Sequence, residues 1–186
     1  MAVQVKRIAV LLLYCLAVPA AAEVGRWEID YGASRLEFTA QQAGAGFQGR
    51  FKSFEADVHF DPAALAQSTA TVSIDTGSVD TSNKERDGIL RGIGWFEAQA
   101  NPRAEFSARE FVKTDAGFTA QGELKVRATS VPVTFMFTLQ QRDGRIELEG
   151  TASLDRIALG LGLGDWADTQ WIGQQVDVVV TLIGRR

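Results

Sequence analysis

The sequence predicts an all-β fold, an antiparallel barrel of about eight strands with one short helix. Three observations predict it. Apolar residues recur at every second position over most of the chain, the mark of half-buried strands. Turn residues of the Asp-Gly type separate those runs. Only one stretch combines a capping signal with a helix-ending glycine.

Taken in order, the chain starts with a predicted targeting segment. Lys6 and Arg7 precede an apolar run of 11 residues, Ile8 to Val18, followed by Pro19 and Ala20-Ala21-Ala22. This is the layout of a secretory signal peptide over residues 1–22, and 11 residues are too few to span a bilayer, which takes about 20. Cleavage after Ala22 leaves 186 − 22 = 164 residues (23–186), enough for one domain with a core. The expected location is the periplasm. Cys15, the sole cysteine, lies in this leader, and the preceding Leu12-Leu13-Tyr14 lack the small residues of a lipoprotein site. Without Lys6 and Arg7, 17 basic residues face 23 acidic ones, a net charge of −6, which excludes a nucleic-acid binder of the usual basic kind.

Eight alternating runs follow. Arg35–Ala40 is the first. Phe54, Ala56, Val58 and Phe60 then share one face, with Glu55, Asp57 and His59 on the other. Asp61-Pro62 predicts a short helical turn. After Ala70–Asp75, Ser82 and Glu85 predict a capping box for a helix over about 83–91, stopped by Gly92. Ala104–Val112 precedes a turn at Asp115-Ala116-Gly117, and Phe118, Ala120, Gly122, Leu124 and Val126 form the next apolar face. Val133, Phe135, Phe137 and Leu139 lead through the turn Asp143-Gly144 to Ile146, Leu148, Gly150, Ala152 and Leu154. Val176, Val178, Val180 and Leu182 complete the set.

An eight-stranded barrel can be filled by its own side chains or hold one small ligand. The inward face mixes phenylalanines with the small residues Ala40, Ala56, Ala108, Ala120, Gly122, Gly150 and Ala152. Either the small residues nest against the rings and fill the taper, or they leave an elongated apolar cavity. In the second case the inward aromatics Phe38, Phe51, Phe60, Phe106, Phe135 and Phe137 line it.

Catalytic chemistry finds little support. His59, the one histidine, falls on the solvated face beside Asp57, and no Gly-x-Ser-x-Gly elbow occurs. A zinc site has no thiolates and one imidazole to draw on. Glu147 and Glu149 face outward, away from any shared substrate. No catalytic residue, metal or cofactor is expected. The Gly-rich run "ALGLGLGDWADTQW" (158–171) invites a phosphate-binding interpretation, but it joins two strands, whereas a phosphate loop leads into a helix. It is expected to be a lip or lid, with Trp166 and Trp171 packing it down and Asp165 and Asp168 facing solvent.

Five stretches together resemble the YceI-like family of secreted bacterial proteins: "WEIDYGASRLEFTAQQ", "GRFKSFEADVHFDPAAL", "VSIDTGSVDTSNKERDGILRGIGWFEAQANPRAEFSA", "GELKVRATSVPVTFMFTL" and "LDRIALGLGLGDWADTQWIGQQVDV". The resemblance implies an extended lipocalin-like barrel that encloses a polyisoprenoid, a quinone-like molecule or another long lipid. It also points to Trp95 and Phe96 at the entrance, and to Arg86 and Asp87 as residues that fix the helix over the barrel mouth or meet a head group. Two positions depart from the family pattern: Ile89 stands where many members carry His, and Ala158-Leu159-Gly160 replaces Asp-Phe-Gly. The Trp95-Phe96 pair and the "GDWADTQW" tail resemble a subgroup found with membrane b-type cytochromes. The partners so implied are a long-chain isoprenoid or other lipid and a membrane cytochrome b, with a homodimer among the assemblies to test. The alternative role is a non-enzymatic stress-response or docking partner of that cytochrome; a lipid-modifying enzyme is the third.

Overall fold

The computed structural model describes residues 24–185; the predicted leader, 1–22, lies outside them. Eleven strands form one antiparallel sheet curled into a barrel. In chain order these are β1 (Glu28–Ile29), β2 (Arg35–Gln42), β3 (Ala45–Phe51), β4 (Phe54–His59), β5 (Thr69–Asp75) and β6 (Val79–Asp80). The helix α1 (Lys84–Arg91) comes next, then β7 (Arg103–Thr114), β8 (Gly117–Val126), β9 (Thr129–Arg142), β10 (Arg145–Asp155) and β11 (Gln175–Arg185). The eight predicted runs are all present, as β2, β4, β5 and β7–β11. The three additional strands are the two-residue β1 and β6, and β3, whose Gly46 and Gly49 interrupt the apolar pattern.

The sheet order is β4-β5-β7-β8-β9-β10-β11-β2-β3-β6. Its two ends meet because β3 runs almost directly into β4 through Lys52 and Ser53. The N-terminal segment bridges the other gap. Trp27 donates its backbone N–H to Val58 O on β4 at 2.9 Å, and Glu28 and Ile29 pair with Arg185 and Gly184 on β11. One bulge matters for the interior. Register shifts between Ala108 and Glu110, so β7 presents Ala104, Phe106 and Ala108 inward on one side of Arg109 and Phe111 on the other.

Turn chemistry follows the sequence at Asp143-Gly144, where both φ values are positive (51° and 76°), as a two-residue hairpin of the primed type requires. The helix start differs from expectation. Asn83, not Ser82, is the cap: its Oδ1 accepts the Arg86 N–H at 3.0 Å, while Ser82 sits at φ 57° with its N–H on Asp80 Oδ1. Asn83→Ala should therefore cost about 1 kcal/mol, and Ser82→Ala clearly less, in paired urea unfolding curves. The turn at Asp61-Pro62 is present: Asp61 Oδ1 accepts the Ala63 N–H at 2.8 Å and Asp61 O the Ala64 N–H at 2.9 Å, and a 3-10 turn at Leu65–Gln67 follows.

Two apolar clusters sit at opposite ends of the barrel. The first centres on Phe60, 1% exposed, whose ring meets those of Phe111, Phe118 and Phe137 at 5.2–5.3 Å between centroids and Trp27 at 6.3 Å. The second joins Leu90 of α1 and Trp95 to Leu159, Leu161 and Ile172 of the β10–β11 connection.

Candidate ligand cavity

Between these clusters the barrel holds a cavity of about 470 Å³, within the roughly 300–1,000 Å³ of small-molecule sites. Its wall is overwhelmingly aliphatic and aromatic, and every strand from β2 to β11 except β3's partner β6 contributes to it. All eight aromatic residues singled out in the sequence lie on the wall: Phe38, Phe51, Phe60, Trp95, Phe96, Phe106, Phe135 and Phe137. Phe60 and Phe137 belong to the closed base, whereas Phe51 and Phe96 meet edge-on at 5.6 Å toward the helix side. Ile89 is also on the wall.

Both accounts of the small residues hold, in different places. Glycines seat phenyl rings: an added Cβ would stand 2.3 Å from Phe38 Cζ at Gly49, 2.7 Å from the Phe106 ring at Gly122 and 2.3 Å from Phe135 Cζ at Gly150. The rings lie flat against the sheet because these positions lack side chains, and the space in front of them stays open. Gly122 and Gly150 also face backbone oxygens, Ser107 O at 2.4 Å and Met136 O at 2.7 Å, whereas the three nearest atoms at Gly49 all belong to the Phe38 side chain. Gly122→Ala is expected to cost about 1–3 kcal/mol as overpacking, and Gly49→Ala less, read from denaturant midpoints. Gly49→Ala should instead push Phe38 into the cavity and reduce its capacity.

Charged and amide side chains line the cavity at the rim made by the β2–β3 hairpin and α1, namely Gln42, Asn83, Glu85 and Arg86, and at Arg156 just after β10. Asp87, 7% exposed, takes no part in the wall. Its Oδ1 accepts the Thr81 N–H at 2.8 Å and the Thr81 hydroxyl at 2.7 Å, which ties α1 to the end of β6. Arg86 is on the wall, its guanidinium 4.0 Å above the Phe47 ring. His59 stays on the outer face, with Nδ1 3.1 Å from Val24 O and Nε2 3.4 Å from Asp57 Oδ1.

The Gly-rich run proves to be a wrapping for a buried cation. Arg156, 2% exposed, gives all five of its N–H donors to backbone carbonyls: Gly173, Leu161, Gly162, Trp166 and Ile172, at 2.7–3.0 Å. Its guanidinium also stands 5.7 Å from the Trp95 ring. Gly160, Gly162 and Gly164 all take positive φ. At Gly162 a Cβ would lie 2.7 Å from both Arg156 Nη1 and the Trp95 ring, so only glycine lets the chain fold this closely. Burial pulls the Arg156 pKa below its ordinary value, and the adjacent Asp155 opposes that; the five carbonyls replace the lost water. Asp155 itself is held low mainly by Gln174, whose Nε2 donates to it at 2.7 Å.

Further ties fix this loop over the helix end. Arg127 Nη1 donates to Trp95 O and Glu97 Oε1, both at 2.8 Å, and its Nη2 to Gly160 O at 3.1 Å. Gly162 N–H reaches Gly94 O at 2.7 Å. Trp166 packs edge-on to Trp95 at 6.3 Å. Trp171 does not pack the loop down as expected: it is 52% exposed at the cavity rim, held there by its backbone carbonyl, which accepts the Ala43 N–H. Asp165 and Asp168 are exposed, as expected. Arg156 went unremarked in the sequence although the signal was there, since the parity that places Ile146 through Leu154 inside places residue 156 inside as well.

Comparison with known proteins decides the family. The YceI-like domain profile matches residues 27–183. The chain belongs to the YceI-like family. Among curated relatives, a UPF0312 protein of Serratia proteamaculans is 33% identical over 100 residues, 53% of this chain and 52% of that protein. A UPF0312 protein of Vibrio cholerae is 29% identical over 129 residues, 67% and 68% of the two chains. The match thus spans about half the length of the Serratia relative. Of solved structures with the YceI-like fold, Burkholderia cenocepacia BcnA superposes with a TM-score of 0.80 at 28% identity, covering 84% of this chain and 99% of that one. A polyisoprenoid-binding domain from Saccharophagus degradans, implicated in plant cell wall breakdown, gives 0.67 at 17% identity, covering 86% and 97%.

Proposed function

We propose that this YceI-like barrel is a non-enzymatic periplasmic binding or carrier protein for a long apolar ligand: a polyisoprenoid, a quinone-like molecule or another lipid. The observation that carries this is the cavity of about 470 Å³, walled by aliphatic and aromatic side chains and closed at its base by Phe60. Such a wall offers no chemistry to a polar substrate, but each methylene moved into it from water is worth about 0.8 kcal/mol, offset by the ordering of a flexible chain. That the Saccharophagus degradans domain of the same fold is a polyisoprenoid-binding one supports the choice of ligand class. The apparent export signal at residues 1–22 supports the location.

The test is native mass spectrometry of gently purified full-length protein, followed by organic extraction. A co-purifying molecule of long apolar chain, released together with the mass shift, is the expected result. Protein that is reproducibly empty and takes up neither a prenyl lipid nor a fatty amide would refute the carrier role. A pull-down that returns a b-type cytochrome on an empty barrel would replace carriage with docking.

A further inference from the structure

Three of the large apolar side chains exposed among the described residues, Ile93, Leu163 and Trp171, stand on the cap made by α1, the turn after it and the β10–β11 connection. Ile93 is 93% exposed and falls between the wall residues Leu90 and Trp95. Leu163 is 47% exposed and falls between the wall residues Leu161 and Trp166. Neither is itself on the cavity wall. Each turn therefore lines the cavity with its inner side chains and offers one aliphatic side chain to water on its outer side. The two tips are built alike, as Gly92-Ile93-Gly94 and Gly162-Leu163-Gly164. Gly94 and Gly164 take positive φ, and a Cβ on either would meet nothing within 4 Å, so they shape the tips without packing against anything. The Gly162 N–H on Gly94 O, at 2.7 Å, holds the tips side by side. Trp171 adds a half-exposed indole at the cavity rim. Charges on the cap nearly cancel: Lys84, Arg86, Arg91 and Arg156 stand against Glu85, Asp87, Glu97, Asp165 and Asp168. Most of the acidic excess over residues 23–186, a net −6, lies elsewhere.

We infer that the cap is a membrane-docking end, with Ile93 and Leu163 entering the interfacial layer of a bilayer of zwitterionic lipid. This rests on the carrier role proposed above and adds the surface at which cargo is exchanged. Single aliphatic side chains on protruding tips suit a fluid surface that closes around each of them, whereas a structured partner takes a contiguous patch. The indole of Trp171, apolar in body and polar at one edge, suits the head-group boundary. A balanced cap on an acidic body turns this end, rather than the rest of the barrel, toward a membrane surface. Cargo then passes between bilayer and cavity beside the tips without crossing open water.

Flotation with phosphatidylcholine vesicles tests this on the purified chain, its N-terminus read by intact mass so that all variants compared carry the same one. Wild type is expected to float with the vesicles equally at low and high salt. Ile93→Asn and Leu163→Asn should each weaken binding by about 5–10-fold, with the unfolding midpoint unchanged for these exposed sites. Met136→Asn, 57% exposed on the outside of β9, should bind as wild type does. Wild type that stays behind, tip variants that float like wild type, or an equal loss in Met136→Asn overturns the inference. Flotation seen only with phosphatidylglycerol-containing vesicles and lost at high salt overturns it in favour of charge attraction, and flotation seen only with vesicles carrying membrane proteins overturns it in favour of a protein partner. The carrier role is read separately, by uptake of geranylgeraniol added in solution, which both tip variants should keep. Uptake without flotation overturns docking alone; flotation without uptake overturns carriage and leaves docking in place.

Discussion

Arg156→Ala is expected to lower the thermal unfolding midpoint by roughly 8–16 °C. The substitution strips five backbone carbonyls of their donor at once, in a connection whose regular structure is one 3-10 turn, Gly164–Trp166. Each buried polar group left without a partner costs about 1–3 kcal/mol. Relaxation toward water recovers part of that, leaving a loss of about 4 kcal/mol. At this chain length each kcal/mol moves the midpoint by about 2–4 °C. Arg156→Lys keeps the charge but has three donors for five acceptors, so it should recover only part of the loss. A midpoint within about 3 °C of wild type for the alanine variant would show that the carbonyl cage is incidental. The effect also reaches the cavity, because Leu159, Leu161, Ile172 and Trp166 stand on its wall and are held there by the same loop.

Phe135→Arg is expected to weaken uptake of a prenyl lipid by at least about 100-fold. Phe135 lies on the wall, its ring stacked on Phe137 at 5.9 Å and seated over Gly150. An arginine there carries a charge into the apolar interior, where no acidic lining residue is within reach of β9: the one carboxylate on the wall, Glu85, is at the rim. A hydrocarbon chain packed beside that charge keeps it from water, and the cost of doing so exceeds the gain from several buried methylenes. Phe135→Leu, which keeps the wall apolar, should bind within about tenfold of wild type. Circular dichroism and an unfolding curve on both variants separate loss of binding from loss of the barrel. Unchanged uptake by a folded Phe135→Arg protein would move the ligand elsewhere.

What the sequence revealed, and what it hid, divides along physical lines. Period-two alternation found eight strands because each buries one face and wets the other. It passed over β3, where Gly46 and Gly49 remove the side chains that make a period visible, though Gly49 is there to seat Phe38. The choice between a filled and a hollow barrel turns on how far each ring lies back against the sheet, a three-dimensional matter that parity cannot express. The helix was legible, but its cap moved from Ser82 to Asn83 because the Ser82 backbone is spent in a left-handed turn after β6. Arg156 shows the opposite kind of loss. Its parity placed it inside, yet a lone arginine after an apolar run looks like the start of a solvated loop, and its acceptors are main-chain carbonyls with no signature in residue type. The glycines that suggested a cradle were indeed a cradle, for a guanidinium and made of oxygens.

The seam that closes the barrel has a bearing on how the molecule is made. Ser34 donates its hydroxyl to Asp30 O and accepts the Ile183 N–H at 3.0 Å, joining residues 149 positions apart, and β1 pairs with β11 beside it. These are the most distant pairings in the fold, and such contacts form slowly because the loop between them must be closed first. A chain that emerges residue by residue, from a ribosome or through a translocation pore, can pair Trp27 with β4 early but leaves Glu28, Ile29 and Ser34 without their β11 partners until residues 183–185 arrive. The hollow can therefore close only after the last strand has arrived, and on the carrier role proposed above any ligand would enter after that.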